Sequence, residues 1–370
     1  MKLRTTLMIA AAMSIAAFAT ARADILVATA GPMTGEDAVF GEQMKRGAEA
    51  AVADINAKGG VLGQKLKLVI EDDQCDAKQA VAVANKFASE GVKFVAGHYC
   101  SSTSIPASAV YHENNILQIT PASTNPALTD DAAKKGWKNV FRTCGRDDAQ
   151  GAIAGAYLAK KYAGKKVAIL HDKTAYGKGV ADETMKAMEK GGLKPAMYDS
   201  FTKGDKDFSA LISKMRASAI DAVYIGSYST ETGLMVRQAR DQGWKVQFFG
   251  EDADVTEEFW KITGPAGEGF LMTFAPDPRN VPAAKAIVEK FKKAGYDPEG
   301  YTLYTYAAFQ VYAEAAAKAK STDTAKLAAA IHGGSFNTVI GTLSYDTKGD
   351  IKNPEYVWYI WHDGKYAETK

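Results

Sequence analysis

The sequence predicts an α/β protein built from two tandem halves, each a mainly parallel sheet flanked by helices. Three observations carry that expectation. Short runs rich in Val, Ile and Phe alternate with longer stretches of helical period, which is the βαβα order of a parallel sheet with helices on both faces. The alternation restarts near the middle of the chain. The length, 370 residues of which 347 follow a leader-like start, is more than one hydrophobic core usually serves.

At the start, Lys2 and Arg4 precede an apolar segment from Leu7 to Ala19 and the small-x-small end Ala21-Arg22-Ala23, the layout of a secretory signal cleaved after Ala23. A spanning anchor would need about 20 apolar residues with stop-transfer flanks. The mature chain, from Asp24, carries 42 Lys and Arg against 43 Asp and Glu. That balance gives no basic footprint for nucleic acid and no attraction to an anionic membrane.

From Asp24 the first half runs ILVATA, a helix near Met44 to Lys58, KLKLVIED, a helix from Ala77 to Ser89, VKFVAG, a helix from Ser102 to Asn114, and ILQIT. In the first helix Ala48, Ala51, Val52 and Ile55 fall at i, i+3, i+4, i+7, and Gly59-Gly60 stop it. The second half runs helix 148–162, KVAILHD, helix 179–190, PAMYDSF, helix 208–217, AVYIGS, helix 230–242 and VQFFG. A tail follows: GFLMTF, helices 281–294, 301–320 and 324–331, then TVIGTLSYD and EYVWYIWH as strands. Lacking a full βαβ set, it is expected to complete the two earlier sheets by crossing back.

Three cysteines, Cys75, Cys100 and Cys144, suit one disulfide and one spare thiol in an oxidising compartment. No CxxC or HxxxH spacing accompanies them, so a metal site is not expected.

Candidate functional residues collect where strands end. FVAGHYCSST and VYIGSYSTET both run strand, Gly, any residue, Tyr, then hydroxyls opening a helix, at the sheet edge where open α/β folds bind ligands. The cluster Ser101 to Ser104 serves either to cap a helix or to meet an anion at its positive end, and the residues alone leave both open. ITPASTNP holds Ala122, Ser123 and Thr124 in irregular backbone between two prolines. The acidic run Glu251-Asp252-Ala253-Asp254 reads as solvated, apart from Asp252, which could hold a cation facing the first half. No GxSxG, HExxH or GxxxxGK[ST] occurs, and the five histidines are scattered, so no catalytic set is evident.

The stretches VADINAKGG, EDDQCDAKQAVAVANK, GHYCSSTSIPAS, ITPASTNP, FRTCGRDDAQG, HDKTAYGKG and DTKGDIK together resemble the periplasmic leucine/isoleucine/valine-binding proteins, the branched-chain amino-acid receptors of ABC transporters. The resemblance implies a type I periplasmic-binding-protein fold with three crossover hinge strands. Its lobes would be 24–146 with 276–355, and 147–275 with 356–370. It also implies a non-enzyme without cofactor: a monomeric periplasmic receptor that closes on an amino acid and delivers it to an inner-membrane permease, with no membrane insertion of its own. The family's disulfide falls on Cys75 and Cys100.

Its ligand contacts fall on Ser101 and Thr124 for the α-carboxylate, and on the Ala122 carbonyl, the Thr124 hydroxyl and Asp252 for the α-ammonium. Phe40, Tyr99, Cys100, Ser123, Tyr176, Tyr228 and Tyr301 would meet the side chain, with Asp147 near the hinge. Phe40 stands where the family has Tyr or Trp, Asp252 where it has Glu, Tyr301 where Phe is usual and Cys144 where Thr is usual. Those departures leave an aromatic carboxylate or an amide as the alternative ligand, and sensing for a membrane receptor as the alternative role.

Overall fold

The computed structural model describes residues 23–369. The proposed signal segment therefore lies outside the described residues, apart from Ala23.

The first sheet is wholly parallel, in the order β2-β1-β3-β4-β5, and consists of β1 (Ile25–Gly31), β2 (Leu66–Asp72), β3 (Phe94–Gly97), β4 (Leu117–Thr120) and β5 (Val140–Arg142). Helices α1 (Ala38–Ala57), α2 (Ala77–Glu90), α3 (Ser101–Glu113) and α4 (Ala127–Lys134) connect its strands. Strands β3 and β4 are buried at every position, as a sheet covered on both faces requires. One face packs on α2 and α3 through Val83, Phe87, Val95 and Tyr111.

After β5 the chain enters α5 (Asp147–Lys161) and builds the second sheet from β6 (Val167–His171), β7 (Met197–Ser200), β8 (Ala222–Gly226), β9 (Gln247–Gly250) and β10 (Leu271–Phe274). Helices α6 (Ala175–Lys190), α7 (Ser209–Ala217), α8 (Ser229–Asp241) and α9 (Glu257–Thr263) alternate with them. The chain then returns to the first body. Helices α10 (Lys285–Lys293), α11 (Thr302–Ala319) and α12 (Thr324–His332) cover the other face of the first sheet, sharing its core through Leu303, Phe309, Tyr312 and Leu327. At Gly47 a Cβ would lie 2.3 Å from the Thr302 carbonyl oxygen, so the close crossing of α1 and α11 depends on a glycine at that turn.

A final crossing brings β13 (Val357–His362) and β14 (Lys365–Glu368) antiparallel onto the edge of the second sheet, giving the order β14-β13-β10-β9-β8-β6-β7. The tail thus crosses back to both bodies but adds strands to the second sheet alone; the first sheet gains covering helices and a separate hairpin rather than the strands expected. Three crossings, after β5, after β10 and before β13, join the two bodies.

Several boundaries differ from expectation. Helix α1 begins at Ala38, six residues before Met44. The segment TVIGTLSYD is not one strand but falls in a hairpin of β11 (Ser335–Thr338) and β12 (Gly341–Ser344), because Gly341 with φ of 99° turns the chain back. Helix α10 starts at Lys285, since Pro278 and Pro282 open short 3-10 turns before it.

Candidate ligand-binding site

Helix α3 is not capped by its hydroxyls as one sequence reading had it. The cap position is Cys100, which forms the disulfide with Cys75 and offers no side-chain cap. The hydroxyls lie inside the first turn and donate to carbonyls instead. Thr103 Oγ1 bonds Cys100 O at 2.8 Å and Ser104 Oγ bonds His98 O at 3.2 Å. Ser101 differs: its Oγ accepts the Asn125 N–H at 3.2 Å, which leaves its single proton free to donate. Buried polar groups need partners, and the open start of α3 is a suitable place for an anion.

Across the cleft, β9 ends at Gly250 and a 3-10 turn carries Asp252–Asp254. The acidic run is not solvated. Glu251 and Asp254 are fully buried and Asp252 is 5% exposed, because the turn folds back under β10 and β13. Glu251 accepts the Ser227 N–H at 2.8 Å, and Asp254 accepts the Glu251 N–H at 3.3 Å. Burial, together with the mutual repulsion of these acids, pushes the carboxyls of Glu251 and Asp254 well above the ordinary range.

Asp252 is held differently. Its Oδ1 accepts the Tyr176 hydroxyl at 2.9 Å and its Oδ2 the Tyr301 hydroxyl at 2.5 Å. Burial raises its pKa, and the two phenols, first Tyr301 and then Tyr176, offset part of that rise. Tyr176 comes from the second body and Tyr301 from the start of α11 on the first, so Asp252 is a point where the two bodies meet.

Between these elements lies a small cavity of about 10 Å³ lined by Tyr99, Ser101, Ala122, Tyr176, Tyr228, Asp252 and Ala253. Phe40 stacks on Tyr99 at 4.6 Å between ring centroids and tilts against Tyr228 at 6.2 Å. Tyr301 meets the Tyr99 ring edge-on at 5.5 Å. The cavity therefore has a hydroxyl and a helix start at one end, a carboxylate at the other, and an aromatic wall beside them. The two matching segments of the sequence, FVAGHYCSST and VYIGSYSTET, supply opposite walls through Tyr99 and Tyr228, each next to a helix start. A larger, more open groove lies elsewhere, between Lys138, His332 and Tyr345, and gathers none of the candidate residues.

Of the twelve candidates, six line this cavity, and Phe40 and Tyr301 pack directly against those that do. Thr124 and Asp147 are buried beside it, with the Thr124 hydroxyl and both Asp147 oxygens lacking a hydrogen-bond partner among the described residues. Burial drives the Asp147 carboxyl well upward. Ser123 points away, bonding Tyr99 O at 2.8 Å and Ser104 Oγ at 2.7 Å, and the Cys100 sulfur is committed to the disulfide.

Residues that sequence reasoning missed close the mouth. Lys203 pairs with the buried Asp37 and lies 4.3 Å over the Tyr228 ring, Lys206 pairs with Glu36, and Asn125 Nδ2 donates to Ala175 O at 2.6 Å. Lys203 and Asp37 are 166 positions apart, and no local pattern joins them.

A family model described as Periplasmic binding protein matches residues 24–360. The chain belongs to the periplasmic binding protein family. It is a family of binding proteins, not of enzymes. The Leu/Ile/Val-binding protein homolog 1 of Brucella suis biovar 1 is 50% identical to this binding protein over 362 residues, covering 97% of this chain and 96% of the relative. Among solved structures, a leucine binding protein from Thermotoga maritima superposes with a TM-score of 0.85 at 29% identity, covering 94% of this chain and 98% of that one. A branched-chain amino acid transporter substrate binding protein from Streptococcus pneumoniae, in complex with isoleucine, gives 0.81 at 25% identity over 94% and 100%. The type I fold that the resemblance implied is the fold of this binding protein.

Proposed function

We propose that this chain is the periplasmic substrate-binding protein of an ABC importer and that its ligand is a branched-chain or similar hydrophobic L-amino acid. The observation that carries the reading is the polarity of the cavity: a free hydroxyl donor at a helix start, Ser101, faces a buried carboxylate, Asp252, across an aromatic-walled space. A zwitterion satisfies both ends at once, and an apolar side chain replaces water against the rings. In this reading Ser101 and Thr124 donate to the α-carboxylate, while the Ala122 carbonyl, the Thr124 hydroxyl and Asp252 receive the α-ammonium. Phe40, Tyr99, Tyr176, Tyr228 and Tyr301 surround the side chain. Asp147 governs the charge near the hinge. The names of the relatives, binders of leucine, isoleucine and valine, support the same ligand class.

Closure is a movement of lobe 24–146 with 276–355 against lobe 147–275 with 356–370, supported by the sharing of cores described above. Lys203 and Lys206 then latch onto Asp37 and Glu36. The leader is removed after Ala23, the mature protein acts as a monomer, and the closed form presents its ligand to a membrane permease. An aromatic carboxylate or amide ligand gains no support, because neither carries the ammonium that would neutralise Asp252. A thermal-shift screen over amino acids, aromatic acids and amides tests the reading, since a ligand bound to the native state raises the melting point by mass action. Leucine, isoleucine and valine should give the largest shifts; a shift from benzoate with none from leucine refutes the assignment.

A further inference from the structure

Beneath the start of α3 lies a fully buried chain of polar side chains that the ligand set does not use. His98 Nδ1 is 2.6 Å from Asp73 Oδ2, and His98 Nε2 is 2.6 Å from the Tyr111 hydroxyl. The other Asp73 oxygen accepts the Cys75 N–H at 2.9 Å, and the Asp73 N–H donates to Gly31 O at 3.0 Å. Asp73, His98 and Tyr111 are all 0% exposed. Burial holds the Tyr111 phenol in its protonated form, so its proton needs an acceptor, and Nε2 is the one within reach. The arrangement in which every proton has an acceptor is Tyr111 O–H donating to Nε2 and Nδ1–H donating to Asp73.

The backbone of the same residue joins two loops. The His98 carbonyl accepts the Thr120 hydroxyl at 2.6 Å and the Ser104 hydroxyl at 3.2 Å. Thr120 Oγ1 in turn accepts the N–H groups of Ala122 at 3.2 Å and Ser123 at 3.0 Å. One loop carries Tyr99 and Ser101, and the other carries Ala122 and Thr124. Neither has regular secondary structure to hold it at these residues, apart from the first turn of α3.

We propose that His98 is a positioning residue for ligand binding: locked from below by Asp73 and Tyr111, it fixes the carbonyl on which the two ligand-bearing loops are jointly hung. The proposal rests on the reading of Ser101 as a ligand contact. It makes the inner relay a determinant of affinity, although no atom of it lines the cavity.

The test is a double-mutant cycle on the full mature chain, with L-leucine affinity measured by calorimetry. Tyr111→Phe removes one hydroxyl and keeps the ring that lies over His98. It should weaken leucine binding roughly 5- to 20-fold in the wild-type background and by a clearly smaller factor in the Ser101→Ala background, where only the loop of Ala122 and Thr124 still depends on the His98 carbonyl. In ¹⁵N-labelled protein the His98 ring should show the Nδ1–H pattern, and Tyr111→Phe should alter it. A purely structural role lowers the melting point in both backgrounds alike and leaves affinity unchanged. Tyr111→Phe within twofold of wild type, or effects that multiply across the two backgrounds, overturns the proposal. Ser101→Ala at wild-type affinity instead removes the site reading, and the proposal with it. If Tyr111→Phe does not fold, Thr120→Val cuts the link on the carbonyl side and is held to the same comparison.

Discussion

Asp252→Asn is the substitution whose consequences can be worked furthest. It preserves volume and leaves an oxygen able to accept one tyrosine hydroxyl, while the new amide group faces the other, which can accept from it. In the ligand-bound protein it removes the charge opposite the α-ammonium. Leaving one partner of a buried ion pair alone costs about 3–5 kcal/mol, and the remaining amide oxygen returns about 1 kcal/mol as a neutral hydrogen bond. The net loss of about 2–4 kcal/mol corresponds to roughly 30- to 1000-fold in Kd.

Stability moves the other way. Burial raises the Asp252 carboxyl above its ordinary 3.8, so the ionised group costs the ligand-free fold free energy at neutral pH, and its removal leaves the melting point equal or higher. Calorimetric titration with leucine, paired with thermal unfolding of both proteins without ligand, reads the two effects separately. A Kd within threefold of wild type, or a ligand-free melting point that collapses along with affinity, refutes the reasoning.

The same carboxyl gives a pH dependence. Its folded pKa lies above the unfolded value, so folding without ligand makes the carboxyl easier to protonate, whereas an ammonium beside it favours the ionised form. Leucine affinity should therefore be lost as pH falls through the folded-state pKa of Asp252, and Asp252→Asn should abolish that dependence in a titration series. Lys203→Met removes the half-buried latch to Asp37; stopped-flow release of leucine should quicken by about 3- to 10-fold, with the difference shrinking at high salt. Arg142 is fully buried, 2.7 Å from Asp350 and 2.6 Å from the Ser123 carbonyl. Arg142→Met leaves Asp350 its second ion pair, with Arg146 at 2.7 Å, but removes the Arg142 pair and the bond to the Ser123 carbonyl, and should cost about 1–3 kcal/mol in denaturant unfolding. Cys144 is a free, buried thiol whose pKa burial pushes up to about 12, so a thiol reagent should label the native protein negligibly and one cysteine after unfolding without reductant.

How far the sequence carried depended on the range of the interaction. The parallel strands were legible because β3, covered on both faces, reads as an unbroken apolar run, and β4, LQIT, follows the end of a helical stretch with β-branched residues. The short β5 and α4 were missed, since three residues of strand and eight of helix give too little period to count. Asp252 was legible as a candidate from its place two residues past a strand end. The burial of its neighbours Glu251 and Asp254 was not, because it comes from β10 and β13, which arrive later in the chain. Hydroxyls in Ser101 to Ser104 were interchangeable by residue type; the resemblance singled out Ser101, and the three-dimensional partners supply the physical reason: Thr103 and Ser104 turn to carbonyls, while Ser101 accepts from Asn125 and keeps its proton. The latch pairs and the Asp73–His98–Tyr111 chain have no local signature, since each joins residues that are distant along the chain.

The central claim is that the cavity recognises a zwitterion, with Asp252 answering the ammonium. The most direct measurement compares calorimetric titrations of L-leucine and 4-methylpentanoate, which is leucine without its ammonium. The account predicts measurable leucine binding and an analogue weaker by at least about 30-fold. Equal affinity for the two compounds would contradict it.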